Sequence, residues 1–177
     1  MRNLIVMLAV LVWGAGCRAG TPKQSSQEAS RTQHVRLRAY HQAKLWALDQ
    51  EIQRHRAWIQ NTQDPQRRLA YQKALARLQV ERERWIALPA DSVALPKDSV
   101  QVVVTLPPEG CRRGLSLPYE GLTRSGPFYI VAGIVGDACR VLKPKHRYRL
   151  TLVPVLPQAY PFPSSYVCIV AYEELNP

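Results

Sequence analysis

Between residues 27 and 88, apolar side chains recur at alternating steps of three and four. Leu45, Leu48, Ile52 and Ile59 with His55 follow this spacing in a first run, and Tyr71, Leu75, Leu78 and Trp85 with Arg82 in a second. That period is the seam of paired helices. The stretch holds one Pro and no Gly, and it is rich in Ala, Leu, Gln and Arg, as long helices are. Asp64-Pro65 sets a good N-cap before a Pro at a first helical position, so a second helix starts there after a turn at residues 61–63. Two helices of about 33 and 23 residues, roughly 50 and 35 Å long, are predicted as an antiparallel hairpin. Folding back near residue 63 sets Ile52 opposite Leu75 and Leu48 opposite Leu78, with Leu45 near Arg82 and His41 near Trp85. Continued backwards, the first seam becomes His41, Arg38, His34 and Arg31, so only half of the first helix finds a partner in the second. A second strip on that helix, Val35, Ala39, Ala43 and Trp46 joined by Leu37 and Tyr40, needs another cover. The chain's own C-terminal part, a second copy or a partner helix would each serve.

Past Leu88 the period changes. Pro89, Pro96, Pro107 and Pro108 end helical structure, and residues 89–98 read as a linker to a β domain at 99–177. Val100, Val102, Val104 and Leu106 alternate with Gln101, Val103 and Thr105, and Tyr148, Leu150 and Leu152 alternate with Arg147, Arg149 and Thr151, as half-buried strands do. Residues 128–135 and 166–172 are more uniformly apolar, the pattern of central strands. Gly136-Asp137 signals a turn into a short strand at 140–142, and Pro154 with residues 157–163 should stop or bend the strand containing Leu152. The expected fold class is α+β: an N-terminal antiparallel α-helical hairpin followed by a small antiparallel β sandwich or partly open β barrel.

The N-terminus has a different layout. Arg2, an apolar run over residues 4–13 and the small residues Gly14-Ala15-Gly16 make a secretory leader over residues 1–16, too short to span a bilayer. Gly14-Ala15-Gly16-Cys17 resembles the lipobox of bacterial lipoproteins, with Gly14 where that family prefers Leu or Val. The resemblance covers the first seventeen residues and implies a diacylated Cys17 as the mature N-terminus. By the same analogy Arg18, rather than Asp, implies release to the outer membrane, on its periplasmic side. Two or three acyl chains hold a protein on a membrane essentially permanently, at about 0.8 kcal/mol per buried methylene. Residues 17–26, polar and without apolar period, read as a lipidated flexible tether.

Composition then narrows the partners. With 46% apolar and 21% charged residues over 177 positions the chain should fold, and its net charge is +11. The excess is uneven: residues 25–88 carry +6 and residues 89–177 carry +2. Lys73, Arg77 and Arg84 share a helix face with Glu81 as the only nearby acid, and Arg31, His34, Arg38 and His41 make a similar stripe on the first helix. A basic face is either simply solvated or attracts anionic material, here an envelope protein or an anionic envelope polymer. A second basic group, Arg140, Lys143, Lys145, Arg147 and Arg149 with His146, lies beside Tyr129 and Tyr148, a mixture that suits single-stranded nucleic acid. The export leader argues against that ligand, as does the face Tyr148 shares with Leu150 and Leu152, so no nucleic acid is expected.

Little else carries chemistry. Three cysteines remain beyond Cys17; Cys111 and Cys139 follow turn sequences near strand ends while Cys168 sits in an apolar strand, which favours a Cys111–Cys139 disulfide. Closing a loop of 27 intervening residues would contribute about 3 kcal/mol. There is no C-x-x-C pair, and His34 and His41 are seven apart rather than three or four, so no metal or cofactor is expected. No nucleophile elbow, S-x-x-K, phosphate-cradling loop or dinucleotide fingerprint occurs, and Glu109, Glu120 and Asp137 fall in turns. These features predict a membrane-tethered envelope lipoprotein that acts as a non-catalytic accessory, assembly or adaptor subunit. Two alternatives stay open: a ligand-binding β module using Tyr119, Tyr129 or Tyr160 beside residues 157–163, and a small envelope enzyme with two titratable groups converging in a pocket.

Overall fold

Pro22 stands at the first position of a long helix, where its missing N–H costs nothing. The computed structural model describes residues 22–123, 128–136, 138–156 and 164–175. In it α1 runs Pro22–Asn61 and α2 runs Pro65–Ala87. Residues 22–26 are thus helical where a flexible tether is expected, because Pro22 opens a helix that no glycine or second proline interrupts. The leader, Cys17 and Arg18 lie outside the described residues.

The hairpin adopts the register set by folding back near residue 63. His41 Nε2 donates to the carbonyl of Trp85 at 2.8 Å, Lys44 meets Glu81 at 2.8 Å, and the rings of His55 and Tyr71 lie edge to face. Asp64 caps α2 by accepting from the backbone N–H of Gln66 and Arg67 at 2.9 and 3.3 Å.

After a 3₁₀ turn at Ala90–Ser92 come β1 (Val100–Thr105), β2 (Phe128–Ile134), a single helical turn α3 (Ala138–Val141), β3 (Arg147–Leu156) and β4 (Ser164–Leu175). They form one partly open four-stranded sheet in the order β1-β3-β4-β2. β3 is antiparallel to β1 and β4, whereas β2 is parallel to β4, so the sheet is mixed and the purely antiparallel expectation is corrected. The cause is the connection: β2 leads through α3 to β3, which leaves a place for β4 between them. β2 is consequently an edge strand of the sheet rather than a central one. Its apolar character has another origin, since residues 114–117 bond to its outer edge and α1 covers one face. The short strand expected at 140–142 is instead α3, which follows Gly136 at φ +54° and turns Leu142 into the core while Arg140 and Val141 stay exposed.

Pro154 does not stop β3, which continues to Leu156. Pairing with β1 ends at Leu152, so the missing N–H of Pro154 falls beyond that ladder. The strand bends there, with register shifts on either side of Pro154. Donors from α1 take over: Tyr40 Oη donates to the Pro154 carbonyl at 3.2 Å and Lys44 Nζ to the Val155 carbonyl at 3.0 Å.

Both faces of the sheet are buried. One packs Ala132, Val153, Val155, Cys168 and Val170 against Ala39, Ala43, Ala47 and Leu48 of α1, so the second strip of α1 is covered by the chain's own sheet. The approach is close because Gly133 has no Cβ; one built there would lie 2.5 Å from Ala43 Cβ. The other face packs Val104, Val131, Tyr148, Leu150, Leu152 and Ile169 under Leu115, Leu117 and Leu142. Residues 114–120 supply that cover and bridge the two sheet edges. Gly114 and Leu117 donate to the Val131 and Tyr129 carbonyls of β2, while Glu120 donates to Val103 of β1.

Candidate functional site

Two sets of side chains on the hairpin carry charge to different ends. The first is internal. α1 presents one face to the sheet and another to α2, and in the crease between them lie Lys44 and Glu51, seven residues apart. Lys44 ties three elements together through Val155, Glu81 and a cation–π contact over Trp85, 5.5 Å from the ring centre. Glu51 is 3% exposed; Arg54 bonds its Oε1 at 2.6 Å and reaches the Tyr166 hydroxyl at 2.9 Å. Burial, reinforced by the Glu51 charge, pushes the Tyr166 hydroxyl up to about 12. His55 Nδ1 donates to the Glu51 backbone carbonyl and stacks edge to face on Trp58, so it is occupied as a packing residue. Lys44, Glu51 and Arg54 do not stand out in the sequence because they lie off the three-four seam, at positions that read as solvated charge. Charged residues repeating at seven between two apolar strips were the available signal.

The second set points outward from α2. No residue of this helix is buried, and its seam residues Leu75, Leu78 and Trp85 are half-covered by α1. On the opposite side Leu69 is 52% and Val80 66% exposed. At 100° per residue, Leu69, Ala76, Val80 and Ala87 fall within about 40° of one another, with Lys73, Arg84 and Arg77 on one flank and Glu83 on the other. Among the described residues, Lys73, Arg77 and Arg84 have no ion pair or side-chain hydrogen bond, and Glu81 is engaged by Lys44. An open depression of about 540 Å³ lies along this flank, lined by Ala76, Arg77, Val80, Glu81, Arg84 and Trp85.

The structure divides the two basic stripes of the sequence. Arg31 and Arg38 align along α1 with Asp49, whose carboxylate bonds Arg82 on one side of the hairpin. Arg77 and Arg84 share the other side with Lys44 and Glu81. The histidines of the α1 stripe are used internally, His34 against Asp91 at 2.9 Å and His41 on Trp85.

Half of the basic group of the β region, Arg147, Arg149 and His146, is matched by acids, while Arg140, Lys143 and Lys145 are exposed and make no ion pair among the described residues. Arg147 forks onto Glu120 at 2.7 and 3.0 Å, Arg149 meets Glu173 at 2.6 Å, and His146 meets Glu174 at 2.6 Å. The Arg147 guanidinium holds the Glu120 carboxyl below the ordinary carboxylate range. Tyr148 is 1% exposed, a core residue whose hydroxyl accepts from the Lys143 N–H. Tyr119 and Tyr129 do come together, with ring centres 5.2 Å apart; Tyr160 lies outside the described residues, as do residues 157–163.

Cys111 packs, partly buried, beside the inner face of the sheet. The side chain of Cys139 lies outside the described residues, and the candidate pairing with it. Cys168 is fully buried, and burial pushes its thiol up to about 12, far from the reactive range. Among the described residues no three His, Cys, Asp or Glu side chains gather as metal ligands, and no helix is long and apolar enough to cross a membrane. In comparison with known proteins, no family model matches the chain, and none of the curated proteins or solved structures matches it either.

Proposed function

We propose that this protein is an envelope lipoprotein, held by an acylated Cys17 on the periplasmic side of the outer membrane, that works as a non-catalytic adaptor or assembly subunit. The leader and the Gly14-Ala15-Gly16-Cys17 sequence support the address. One observation carries the role: among the described residues Lys73, Arg77 and Arg84 stand without ion partners around exposed Leu69 and Val80, while the arginines of β3 are held by glutamates. A solvated surface needs charge but gains nothing from large apolar groups set among unmatched cations. A surface that receives an acidic partner needs both. The sheet is buried on both faces and serves as the platform that holds α1, and through it α2, in a fixed place. The β region is read as a partly open barrel with residues 114–120 across its gap.

Fractionation of cells making the Cys17→Ser variant tests the address. Release from the membrane fraction is expected, and undiminished membrane retention would sink lipidation as the tether. Reversal of Lys73, Arg77 and Arg84 to Glu tests the role: salt-sensitive association with envelope material should disappear, and unchanged association would leave a merely solvated face.

A further inference from the structure

Building on that reading, we propose that the outer face of α2 binds an acidic amphipathic helix of a partner protein, completing a three-helix arrangement with α1 and α2. Spacing identifies the kind of occupant. Leu69, Lys73, Ala76, Val80, Glu83 and Ala87 succeed one another at four, three, four, three and four residues, the seam a second helix reads by knobs into holes. Ala76 and Ala87 are small enough to allow helix axes to approach within about 8–10 Å. The depression beside them, walled by Arg77, Arg84 and Trp85, is a hole for a larger apolar side chain.

Charge selects the partner's sign. Arg77 and Arg84 flank the seam with no carboxylate among the described residues engaging them, since the neighbouring Glu81 is held by Lys44. Asp or Glu at flanking positions of the incoming helix would meet both guanidiniums, each able to grip a carboxylate with two N–H donors. A bilayer fits less well. Helices that lie in a membrane interface bury a broad apolar face rich in Trp, Phe and Leu. This strip is one residue wide, has Leu69 as its bulkiest member and would press Glu83 against anionic headgroups. A second copy packed antiparallel fits less well too, because that two-fold contact brings the same cationic flanks near each other.

The test places a photo-reactive amino acid at Val80 of the full chain in living cells, with a control at Arg68 on another side of α2, and maps the crosslinked residues by mass spectrometry. The expected product joins position 80 to a protein segment with apolar residues at three-four spacing and Asp or Glu beside them. Arg77→Glu with Arg84→Glu should lower its yield at least tenfold without changing helicity by circular dichroism. A lipid adduct, a second copy, a segment without acidic flanks, or no product above the Arg68 control would each overturn the proposal. The Cys17→Ser fractionation separates the two failures. A tethered protein that gives a lipid adduct removes the helical occupant alone, whereas a protein free in the cytoplasm removes the envelope reading with it.

Discussion

Gly133→Ala should loosen the union of hairpin and sheet, and its cost can be worked from the contact it would create. The added Cβ would sit 2.5 Å from Ala43 Cβ, 3.1 Å from the Ala39 carbonyl oxygen and 3.2 Å from Ala43 Cα. Carbon atoms rest at about 3.5–4.0 Å, so α1 would have to retreat by about 1 Å. Side-chain rotation cannot relieve this, because one neighbour is a methyl on a fixed Cβ and the other two are backbone. A gap of that size forfeits a quarter to a half of each dispersion contact along Ala39, Ala43 and Ala47. It also stretches the bonds from Tyr40 and Lys44 to β3. Overpacking usually costs about 1–3 kcal/mol, and the helix's several fixed contacts place this case near 3. Urea unfolding followed by tryptophan fluorescence, with Trp46 beside Tyr166 as the local reporter, measures it. Ala43→Gly removes the nearest contact, so although it costs about 1 kcal/mol alone, the double variant should be more stable than the sum of the two losses by at least 1 kcal/mol. A Gly133→Ala protein within 0.5 kcal/mol of the parent, or strictly additive losses, would mean that α1 does not rest on β2 at this distance.

Three further outcomes follow from the same contacts. Leu48 is wholly buried between α1, α2 and the sheet, so Leu48→Asp should cost about 4 kcal/mol or more and depress helicity; unaltered circular dichroism would remove Leu48 from the core. Asp64→Ala strips two backbone donors of their acceptor and should lower stability by about 1 kcal/mol, read as a shifted urea midpoint at unchanged slope; no shift would mean that the cap is idle. Tyr40 and Tyr166 are raised from 10 to about 12 and Cys168 from 9 to about 12, chiefly by burial, so the unfolded chain ionises first as pH rises. Their contribution is whole below about pH 9 and is lost progressively up to about pH 12, and Tyr40→Phe should flatten part of that decline; a urea midpoint constant across the window would contradict the burial of these groups.

The hairpin was legible because its determinants are local. The 3.5-residue period fixes the seam, Asp64-Pro65 fixes the turn, and an antiparallel pair has a register that counting alone supplies. The second strip of α1 was legible as apolar surface in need of cover, although its small residues, Ala39, Ala43 and Ala47, gain meaning only opposite Gly133. Sheet topology was not legible. Whether residues 128–134 run parallel or antiparallel to residues 164–175 depends on how the chain returns through the intervening residues 147–156, and alternation of side chains is identical in the two cases. Pro154 misled because the sequence does not show that β1 stops two residues short of it. Residues 114–120 were not legible as part of the sheet although Leu115, Leu117 and Tyr119 alternate with Ser116, Pro118 and Glu120, because Pro118 and the flanking Gly114 and Gly121 read as turn chemistry; they bridge the sheet edges through scattered backbone bonds. For the candidate site, Lys73, Arg77 and Arg84 were legible as a face, while the separation of Arg31 and Arg38 onto the other side of the hairpin needed the packing of α1 to define its sides.

The two basic groups look alike in sequence, and the fold makes them unequal in a measurable way. Arg147 and Arg149 each face a glutamate within 2.7 Å, so each pair behaves as a compact dipole rather than a charge. Exposed pairs of this kind are worth only about 0.2–1 kcal/mol, but their field fades well within the Debye length of about 8 Å at physiological salt. Arg77 and Arg84 form no such pair among the described residues, so together with Lys73 they leave net positive charge on that face. Arg77→Gln with Arg84→Gln, and Arg147→Gln with Arg149→Gln, change the net charge equally. If binding follows the face, the first pair should elute from a sulfonate matrix at clearly lower salt than the second. Equal shifts would mean that total charge governs the attraction, and the outer face of α2 would lose its claim to be the contact surface.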